Sequence, residues 1–429
     1  MLITDATLPD GRTRDVRIDG ETIGEVADTL STTPDERTID GSGKRLLPGM
    51  IDAHVHFRQP GYDHKETWAT GSKSAAAGGV TTVVDQPNTD PPTIDGESFD
   101  QKRDLAADSL VDFGLNGGVT EDWLPNILLR RPLFALGEVF LADSTGNMGI
   151  DADLFADALQ QATDRGVTVT VHAEDATRFN DSARERDDAD AWSAYRTAQA
   201  EIEAVRRACE VAAEHDARIH IAHTSTPEAI DVASDAGMTC EVTPHHLFLS
   251  RNDLPELGTF GRMNPPLRRE NRRRKVFERV ADGTVDMIAT DHAPHTREEK
   301  DAGIWDAPSG VPGVETALPL LLNEAREGAL DYERVRDLTA ANPASVFGLT
   351  NKGRIEEGFD ADLVLVDPDQ PQEIRGEETH TKCDWTPFEG MDGVFPELTM
   401  VRGTVVYEDR GEERFADAVG QNVRDAGVR

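Results

Sequence analysis

Short aliphatic and β-branched runs alternate with longer amphipathic segments between about residues 48 and 345, and this alternation constrains the fold more than any other feature of the sequence. Helical or loop sequence follows each run; in residues 151–166, Asp151 can cap a helix that Gly166 ends. The runs predict eight strands: Met50–His56, Val80–Gln86, Val111–Asn116, Phe134–Leu141, Val167–His172, Arg218–His223, Met238–Thr243 and Val285–Asp291. Eight such units predict the α/β class, with a parallel (β/α)8 TIM-like barrel.

The two ends of the chain have a different pattern. Residues 1–47 and 352–429 contain short strands and turns, such as DVRIDGETIGEV, ADLVLVDPD and TMVRGTVVYEDRG. Neither segment has enough apolar residues to bury a core alone. We therefore expect the two segments to combine in one small composite β-sandwich domain, and residues 48–351 to form the barrel.

The chain is strongly acidic, with 81 Asp and Glu residues against 44 Lys and Arg residues and a formal net charge of -37. This charge argues against nucleic acid and against anionic membrane surfaces as partners. The carboxylates run along the whole chain, and lysine is scarce among its basic residues. Such a surface is typical of halophilic proteins, because at roughly 1 M salt the screening length is only about 3 Å.

The start of the chain and its cysteines indicate the compartment. The first residues, MLITDATLPDG, contain neither a basic region nor an apolar stretch, so no export signal is predicted. Cys209, Cys240 and Cys383 are scattered and odd in number, which predicts reduced structural thiols rather than a disulfide framework. Both features favour a cytoplasmic protein.

Polar residues that can bind metals end six of the eight predicted strands. An isolated His-x-His would most simply be chance, but here the other strand ends supply further ligands, and the carboxyl ends of barrel strands meet at one face. Imidazoles and carboxylates together suit Zn2+ or a similar divalent ion, and two such ions would supply a nucleophilic hydroxide near neutral pH. The residues at these strand ends are His54, His56, Asn88, Glu138, His172, His223 and Asp291.

Several longer motifs carry a resemblance to a known family. The sequence strongly resembles the dihydroorotases of the amidohydrolase superfamily in PGMIDAHVHFRQPG, KETWATGSKSAAAGGVTTVVDQPNT, EVTPHHL, MNPPLR, ATDHAPHT, APSGVPGVET and KCDWTPFEG. The resemblance spans most of residues 45–405. It implies a barrel with a composite β-sandwich and two metal ions bound by His54, His56, His172, His223 and Asp291.

The resemblance also implies substrate-binding roles. Arg58 and Asn88, joined by His295, look like the residues that hold the substrate's α-carboxylate, and bidentate recognition of a carboxylate suits arginine. Asn264 and the backbone around Gly313 would hydrogen-bond the ureide ring. By the same resemblance His245 and His246 are not metal ligands, and we expect them to support the ligands or the fold.

The fourth strand departs from the family pattern. Many dihydroorotases and hydantoinases carry a carboxylated lysine there that bridges two metals, whereas the matching residue here is Glu138 and no lysine occurs from residue 103 to 274. Glu138 has the right charge but a shorter reach. We rank Glu138 first as the bridging ligand, Asp143 in the following loop second, and a mononuclear site third.

The function implied is reversible closure of N-carbamoyl-L-aspartate to (S)-dihydroorotate in pyrimidine synthesis. Metal-bound hydroxide would attack the ring amide, with Asp291 as general acid and base. The alternatives are another cyclic amidohydrolase, such as an allantoinase or a hydantoinase (dihydropyrimidinase), and a catalytically inactive scaffold homologue. Arg58 argues against another cyclic amidohydrolase, and the intact set of metal ligands argues against an inactive homologue. The sequence leaves open the native metal, a homodimer and an association with aspartate transcarbamoylase.

Overall fold

The structure is a computed structural model that describes residues 1–141 and 148–425. Strand β1 pairs antiparallel with β2 and parallel with β4 and β5, and β2 pairs antiparallel with β3. These five strands open the chain: β1 (Leu2–Thr7), β2 (Thr13–Asp19), β3 (Thr22–Ala27), β4 (Thr38–Asp40) and β5 (Arg45–Pro48).

Eight parallel strands follow, in the order the sequence predicts. They are β6 (Met50–Val55), β7 (Val80–Asp85), β8 (Asp112–Leu115), β9 (Leu136–Phe140), β10 (Val169–His172), β11 (Ile219–Ile221), β12 (Thr239–Val242) and β13 (Met287–Ile288). Strands β6–β8 form one sheet and β9–β13 a second. Single parallel bridges, Gly117 with Leu136 and Val55 with His292, connect the two sheets at both edges.

Several of these strands end earlier than predicted. His223 and Asp291 have φ values of 35° and 47°, which lie outside the β region, so the backbone has already left the extended conformation at these residues. The polar residues at the strand ends are therefore held by the loops that leave the strands.

Fourteen α-helices occur among the described residues, most of them after the parallel strands. Asp151 caps α4 as predicted, accepting from the Leu154 N–H at 2.9 Å, and Phe155, Ala158 and Ala162 are on its buried face. The helices are α1 (Trp68–Ala77), α2 (Gly96–Leu105), α3 (Pro125–Leu128), α4 (Ala152–Thr163), α5 (Ala191–Tyr195), α6 (Ala198–Glu214), α7 (Pro227–Asp235), α8 (Pro244–Phe248), α9 (Leu254–Leu257), α10 (Glu270–Asp282), α11 (Arg297–Lys300), α12 (Ala317–Glu327), α13 (Tyr332–Arg336) and α14 (Asn342–Phe347).

The last strands return to the first ones. They are β14 (Leu363–Val366), β15 (Gln372–Glu373), β16 (Asp392–Gly393), β17 (Pro396–Val401), β18 (Thr404–Asp409) and β19 (Glu413–Phe415). All but β15 and β16, which pair with each other, join the N-terminal strands in one nine-stranded sheet of order β19-β18-β17-β14-β5-β1-β2-β3, with β4 beside β1. Strand β5, just before the first parallel strand, pairs with β14.

The nine-stranded sheet is buried on both faces at β14. Along β14, Leu363 and Leu365 belong to a core that the sheet's own strands build, whereas Val364 and Val366 belong to the large core shared with the parallel strands. Because successive side chains in a strand point to opposite faces, this alternation means that one face packs on the parallel strands and the other on the sheet's own core.

Parts of the C-terminal segment pack beside the parallel strands instead of within the sheet. The Thr381 hydroxyl donates to Glu66, and the Trp385 indole N–H donates to the His295 carbonyl at 2.8 Å. Further on, the Gly420 N–H donates to the Ser109 carbonyl at 2.9 Å. The loop around residue 385 thus supports the backbone of a predicted site residue.

Two smaller sequence predictions can be compared with the fold. Cys209, Cys240 and Cys383 are free and buried, as expected for structural thiols. Within residues 1–141 and 148–425, no helix combines the length and the apolar character that crossing a bilayer requires.

Candidate metal centre and substrate cavity

Six of the predicted metal ligands converge at the carboxyl ends of the parallel strands. Two groups of ligand atoms, each within 4.8 Å of one another, share His54: one adds His56 and Asp291, the other Glu138 and His223. His172, at the end of β10, places its Nδ1 atom 2.9 Å from His223 Nε2. All six side chains are buried. Strands far apart in sequence therefore deliver their donors to one place.

Glu138 lies between the histidines. Its Oε1 atom is 2.8 Å from His172 Nδ1 and 2.6 Å from His223 Nε2, and its Oε2 atom is 3.3 Å from His54 Nε2. Burial alone would raise the pKa of this carboxyl group, but the imidazoles of His54 and His223 lower it well below its usual value. Glu138 therefore directs one oxygen toward each part of the cluster.

The outer nitrogens of three imidazoles are held by acceptors behind the cluster. A neutral imidazole that donates from one nitrogen presents a lone pair on the other, so these acceptors aim the remaining nitrogens at the centre. The pairs are His54 Nδ1 with Glu241 Oε1 at 2.7 Å, His56 Nδ1 with Asn88 Oδ1 at 2.7 Å, and His172 Nε2 with Glu174 Oε2 at 3.0 Å.

Glu174 and Glu241 are two supporting residues that the sequence analysis missed. The Arg196 guanidinium clamps Glu174, with Nε 3.1 Å from both carboxylate oxygens, and Glu241 also faces His220 Nε2 at 3.0 Å. Both had a usable signal: Glu174 follows the His ligand by two residues in VHAE, and Glu241 is the charged residue of a buried strand. Arg196, in a distant loop, had none.

Asp52 is a third missed residue. Its carboxylate accepts from the Thr290 N–H at 3.0 Å and from the Thr290 hydroxyl at 2.6 Å, and it also accepts from the His54 N–H at 3.2 Å. Burial raises the pKa of Asp52 to about 7. Asp52 thereby ties β6, which carries His54, to the backbone immediately before Asp291.

The donor set fits a divalent metal ion. His54 Nε2 is buried and has no hydrogen-bond partner within the described part of the chain, although it points at Glu138 Oε2 and at Asp291 Oδ1, 3.6 Å away. A buried imidazole nitrogen of this kind normally finds a partner. Imidazole nitrogens and carboxylate oxygens in this mixture suit zinc or a similar ion, so the residues fit the predicted cofactor.

A cavity opens on one side of this cluster. It is lined by cluster residues together with three of the predicted substrate residues, Arg58, Asn88 and Asn264. Arg58 is buried, has φ of 66°, and donates from Nε to the Pro294 carbonyl at 3.2 Å. Burial lowers the pKa of Arg58. The guanidinium nevertheless remains a cation at neutral pH, because arginine loses its proton only in strong base.

His295 lies beside Arg58, as predicted. Lys65 Nζ is 3.0 Å from His295 Nδ1 and can only donate, so the hydrogen of the neutral ring is on Nε2, where Ser309 O accepts it at 3.0 Å. Burial, with the charge of Arg58, holds the pKa of His295 well below its usual value. Arg58 Nη2, 3.1 Å from the same Nε2, therefore finds no acceptor on this ring.

The structure places the two predicted ring contacts differently. Asn264 lines the cavity, and its Oδ1 atom accepts from the Trp192 indole N–H at 3.0 Å. Gly313 is not among the cavity-lining residues of the described chain, because its N–H turns away and donates to His292 Nδ1 at 3.1 Å. Ser309 and Gly310, four and three residues earlier in the same segment, line the cavity.

Asp143, His245 and His246 are the remaining residues of the sequence prediction. Asp143, the second candidate for a bridging ligand, lies outside the described residues. His245 and His246 are buried beside the cluster but belong to neither ligand group, and His246 is held between the Thr243 hydroxyl and the Pro265 carbonyl.

Comparisons with known proteins agree with this geometry. The model of the amidohydrolase family matches residues 45–406. The chain belongs to the amidohydrolase family. Among curated proteins of this family, a dihydroorotase of Halobacterium salinarum is 65% identical over 99% of this chain and 99% of its own length. A dihydroorotase of Methanosarcina acetivorans is 44% identical over 92% of this chain and 89% of its own length.

Solved structures of the amidohydrolase family are also similar. The L-hydantoinase (dihydropyrimidinase) of Arthrobacter aurescens superimposes with a TM-score of 0.93 at 28% identity, covering 98% of both chains. A D-hydantoinase (dihydropyrimidinase) of a Thermus species gives a TM-score of 0.89 at 28% identity, covering 99% of this chain and 98% of the other. The mixed α/β fold described above is therefore that of cyclic-amide hydrolases in this family.

Proposed function

We propose that this protein is a dihydroorotase, which interconverts N-carbamoyl-L-aspartate and (S)-dihydroorotate. The observation that carries the proposal is Arg58, a buried cation in the wall of the cavity beside the histidine–carboxylate cluster. A guanidinium there matches a substrate with a carboxylate, and the relatives at 65% and 44% identity are both named dihydroorotase.

The proposed cofactor is a pair of divalent ions, with Zn2+ the first choice. His54, His56, Glu138, His172, His223 and Asp291 would hold the ions, and the two Glu138 oxygens support a bridging role for that residue. Bound ions of this type polarise a carbonyl group and lower the pKa of a water molecule. Asp143 remains the alternative bridge, and a mononuclear site the third reading.

The side chains of the cavity supply the remaining chemistry. In ring opening, Asp291 takes a proton from the attacking water and delivers it to the leaving ring nitrogen; closure runs in reverse. Asp291 Oδ1 lies 2.9 Å from His56 Nε2, so the carboxylate faces the same position in the cluster as the imidazole lone pair. Arg58 and Asn88 would hold the α-carboxylate, with His295 beside Arg58. Asn264 and the backbone at Gly310, in the segment around Gly313, would face the ring.

Proton balance gives the direction of the pH effect. Carbamoyl aspartate carries two carboxylates and dihydroorotate carries one, so closure consumes one proton and releases one water molecule. Lower pH therefore favours the ring. Arg58 pairs with the carboxylate that both forms share, so recognition does not depend on the direction of the reaction.

A second candidate is a hydantoinase or dihydropyrimidinase, favoured by the similarity to solved hydantoinase structures at TM-scores of 0.89 to 0.93. Simple hydantoins and dihydrouracil carry no carboxylate that would use a buried arginine. The deciding experiment compares turnover of dihydroorotate, carbamoyl aspartate, dihydrouracil, hydantoin and allantoin by protein purified in molar KCl, with metal analysis of the same sample. Turnover of the neutral rings with none of dihydroorotate would overturn the proposal, and no turnover would favour the inactive homologue.

We also propose a domain organisation, a compartment and an assembly state for this enzyme. The eight parallel strands would close into a (β/α)8 barrel over residues 48–351, which the bridges at both sheet edges support. Residues 1–47 and 352–429 would form the small β domain. The enzyme would act in the cytoplasm on a small molecule. Light scattering on the purified protein, alone and with aspartate transcarbamoylase, tests the predicted homodimer and complex.

A further inference from the structure

The described chain buries seven cationic side chains, and five of them contact carboxylates. The five pairs are Lys102 with Asp85, Arg196 with Glu174, Arg268 with Glu201, Lys352 with Asp112 and Arg402 with Asp112. Arg58 and Lys300 are the other two, and no carboxylate oxygen of the described residues lies within 4.0 Å of either. Both are beside the cavity.

Amino-acid composition does not explain why Arg58 and Lys300 lack carboxylate partners. The chain has 81 acidic residues for 44 basic ones, and its other buried cations all have an acidic partner. Removing a cation from water without an anion destabilises the folded protein. Two such charges beside one cavity therefore point to an anion that arrives with a ligand.

Lys300 is a charged ammonium group and has no donor left for a ligand. Its Nζ atom donates to three backbone carbonyls, those of Arg262 at 3.0 Å, Pro308 at 3.0 Å and Gly310 at 3.1 Å. A neutral amine has only two N–H donors, so three acceptors require the protonated form. Lys300 can thus act on a ligand only through its charge and through the backbone that it holds.

One of the three carbonyl groups that Lys300 holds, that of Gly310, belongs to the cavity wall. Gly310 and Ser309 line the cavity, and the Arg262 Nε atom donates to the Ser309 hydroxyl at 3.2 Å. Gly310 has φ of 131°, and a Cβ atom there would lie 2.6 Å from the Ala293 carbonyl oxygen. Lys300 therefore lies directly behind a wall that approaches its neighbours closely.

The cations around this wall also repel each other. Burial, followed by the charges of Arg262 and Arg58, lowers the pKa of Lys300 well below its usual value. Arg262 likewise has no carboxylate oxygen of the described residues within 4.0 Å. A bound anion would relieve this repulsion, because it attracts all three cations at once.

We infer that Lys300 is a positioning residue for the ring carboxylate of the substrate, supplying a second buried positive charge behind Arg58 while it holds residues 308–310 as the wall of the carboxylate site. This inference rests on the proposed function, since it names the group that the cavity recognises. Arg58 contacts the carboxylate directly, whereas Lys300 attracts it through one layer of backbone.

The test compares two ligands that differ only in the carboxylate. Dihydroorotate and 5,6-dihydrouracil share the ring, and dihydrouracil has hydrogen in place of the carboxylate. The ratio of their dissociation constants, measured by thermal shift or competitive inhibition on the metal-loaded enzyme, isolates the contribution of the carboxylate. A variant that merely destabilises the fold or the metal centre would weaken both ligands equally and leave this ratio unchanged.

Three variants make the test specific. Lys300→Gln keeps donors for the carbonyls but removes the charge, and it should lower the preference for dihydroorotate about tenfold, with kcat less affected than KM. Lys300→Arg should restore most of the preference. Lys352→Gln, which alters a buried lysine that has acidic partners, should leave the preference unchanged. An unchanged preference in Lys300→Gln, or an equal loss in Lys300→Arg, would overturn the inference.

A further variant keeps the inference testable if Lys300→Gln does not fold. In Arg58→Met the charge of Lys300 remains, so the enzyme should still prefer dihydroorotate by severalfold; a preference near one would overturn the inference. The proposed function is judged separately, by whether the wild-type enzyme turns over dihydroorotate. Binding preference can be measured whether or not that turnover is found.

Discussion

Two buried charge clusters in this protein are built on opposite principles. Where the nine-stranded sheet meets β8, Lys352 Nζ lies 2.8 Å from Asp112 Oδ2 and 2.5 Å from Asp362 Oδ2, and Arg402 pairs with Asp112. At the cavity, Arg58 and Lys300 are buried with no such partner among the described residues. The first cluster is balanced by ion pairs within the protein, whereas the second contains two cations without such a pair.

This difference separates a charge that serves the fold from a charge that serves recognition. A buried ion pair that loses one partner leaves an uncompensated charge, so the junction cluster should respond to mutation through stability. The cavity cluster already contains uncompensated charge and should respond through binding. Substitutions in each cluster, together with the response to salt, test this contrast.

The largest effect is expected for Glu138→Ala. Removing an anion that faces three histidines leaves two metal ions repelling one another, so about one ion per chain should be lost and activity should fall at least about 1000-fold. Metal stoichiometry and turnover measure both effects. Asp143→Ala is the control and should be milder; loss of metal in that variant, with retention in Glu138→Ala, would reverse the ranking of the two bridging candidates.

Lys352→Met should reduce stability rather than activity. It leaves Asp112 and Asp362 buried beside Arg402 as the remaining cation, and breaking a buried pair of this kind costs about 3 kcal/mol of unfolding free energy. Denaturant unfolding in molar KCl measures the loss, and KM should stay at the wild-type value. Lys275→Met, at an exposed lysine, should change the stability by less than about 0.5 kcal/mol. A raised KM in Lys352→Met would contradict the assignment of this cluster to stability rather than binding.

Arg58→Met should reduce substrate binding rather than stability. It removes the direct partner of the substrate carboxylate, so KM for carbamoyl aspartate should rise about 100-fold, while the metal content and the folded state remain. The steady-state kinetics and metal analysis are done on the same preparation. A KM equal to that of the wild type would remove Arg58 from the site and reopen the hydantoinase reading.

Glu174→Gln should have a smaller effect, on metal binding. The Glu174 carboxylate carries a negative charge that keeps a hydrogen on His172 Nε2, and a neutral amide holds that hydrogen less strongly. Arg196 also loses its charged partner. Metal affinity should therefore fall about tenfold. Competition with a chelator measures this. Glu203→Gln, at a glutamate on α6 that pairs with Arg206 on the surface, is the matched control. Equal affinities in the two variants would show that Glu174 does not support the ligand.

Salt should have little effect on the difference between the two charge clusters. The net charge of -37 should make the wild-type protein more stable toward molar KCl, because salt screens repulsion between exposed carboxylates. The stability lost in Lys352→Met should change by less than about 0.5 kcal/mol over the same range, since buried pairs are screened far less. Unfolding curves for both proteins at several KCl concentrations test this. Full wild-type stability at low ionic strength would contradict the halophilic assignment.

Sequence patterns predicted the parallel strands and several of the site residues, because both leave local signals. Short apolar runs between amphipathic segments located all eight parallel strands, and the polar residues at their ends located His54, His56, His172, His223 and Asp291. The ring contact of the backbone around Gly313 stays a prediction: among the described residues Ser309 and Gly310 of this segment line the cavity, whereas Gly313 does not. Which part of a loop faces a cavity depends on how the loop packs, and here its N–H group turns to His292.

By itself, the sequence determined which residues could be strands, which side chains could bind a metal, and that an arginine follows the His-x-His pair. For two imidazoles, the nitrogen that faces the cluster depends on the tertiary structure, because Glu241 and Asn88 reach the rings of His54 and His56 from other strands and loops. Glu174 reaches His172 from the loop that directly follows it. It also decided that Lys300 is buried without a carboxylate. Pairing between distant charges depends on three-dimensional packing, and no spacing along the chain encodes it.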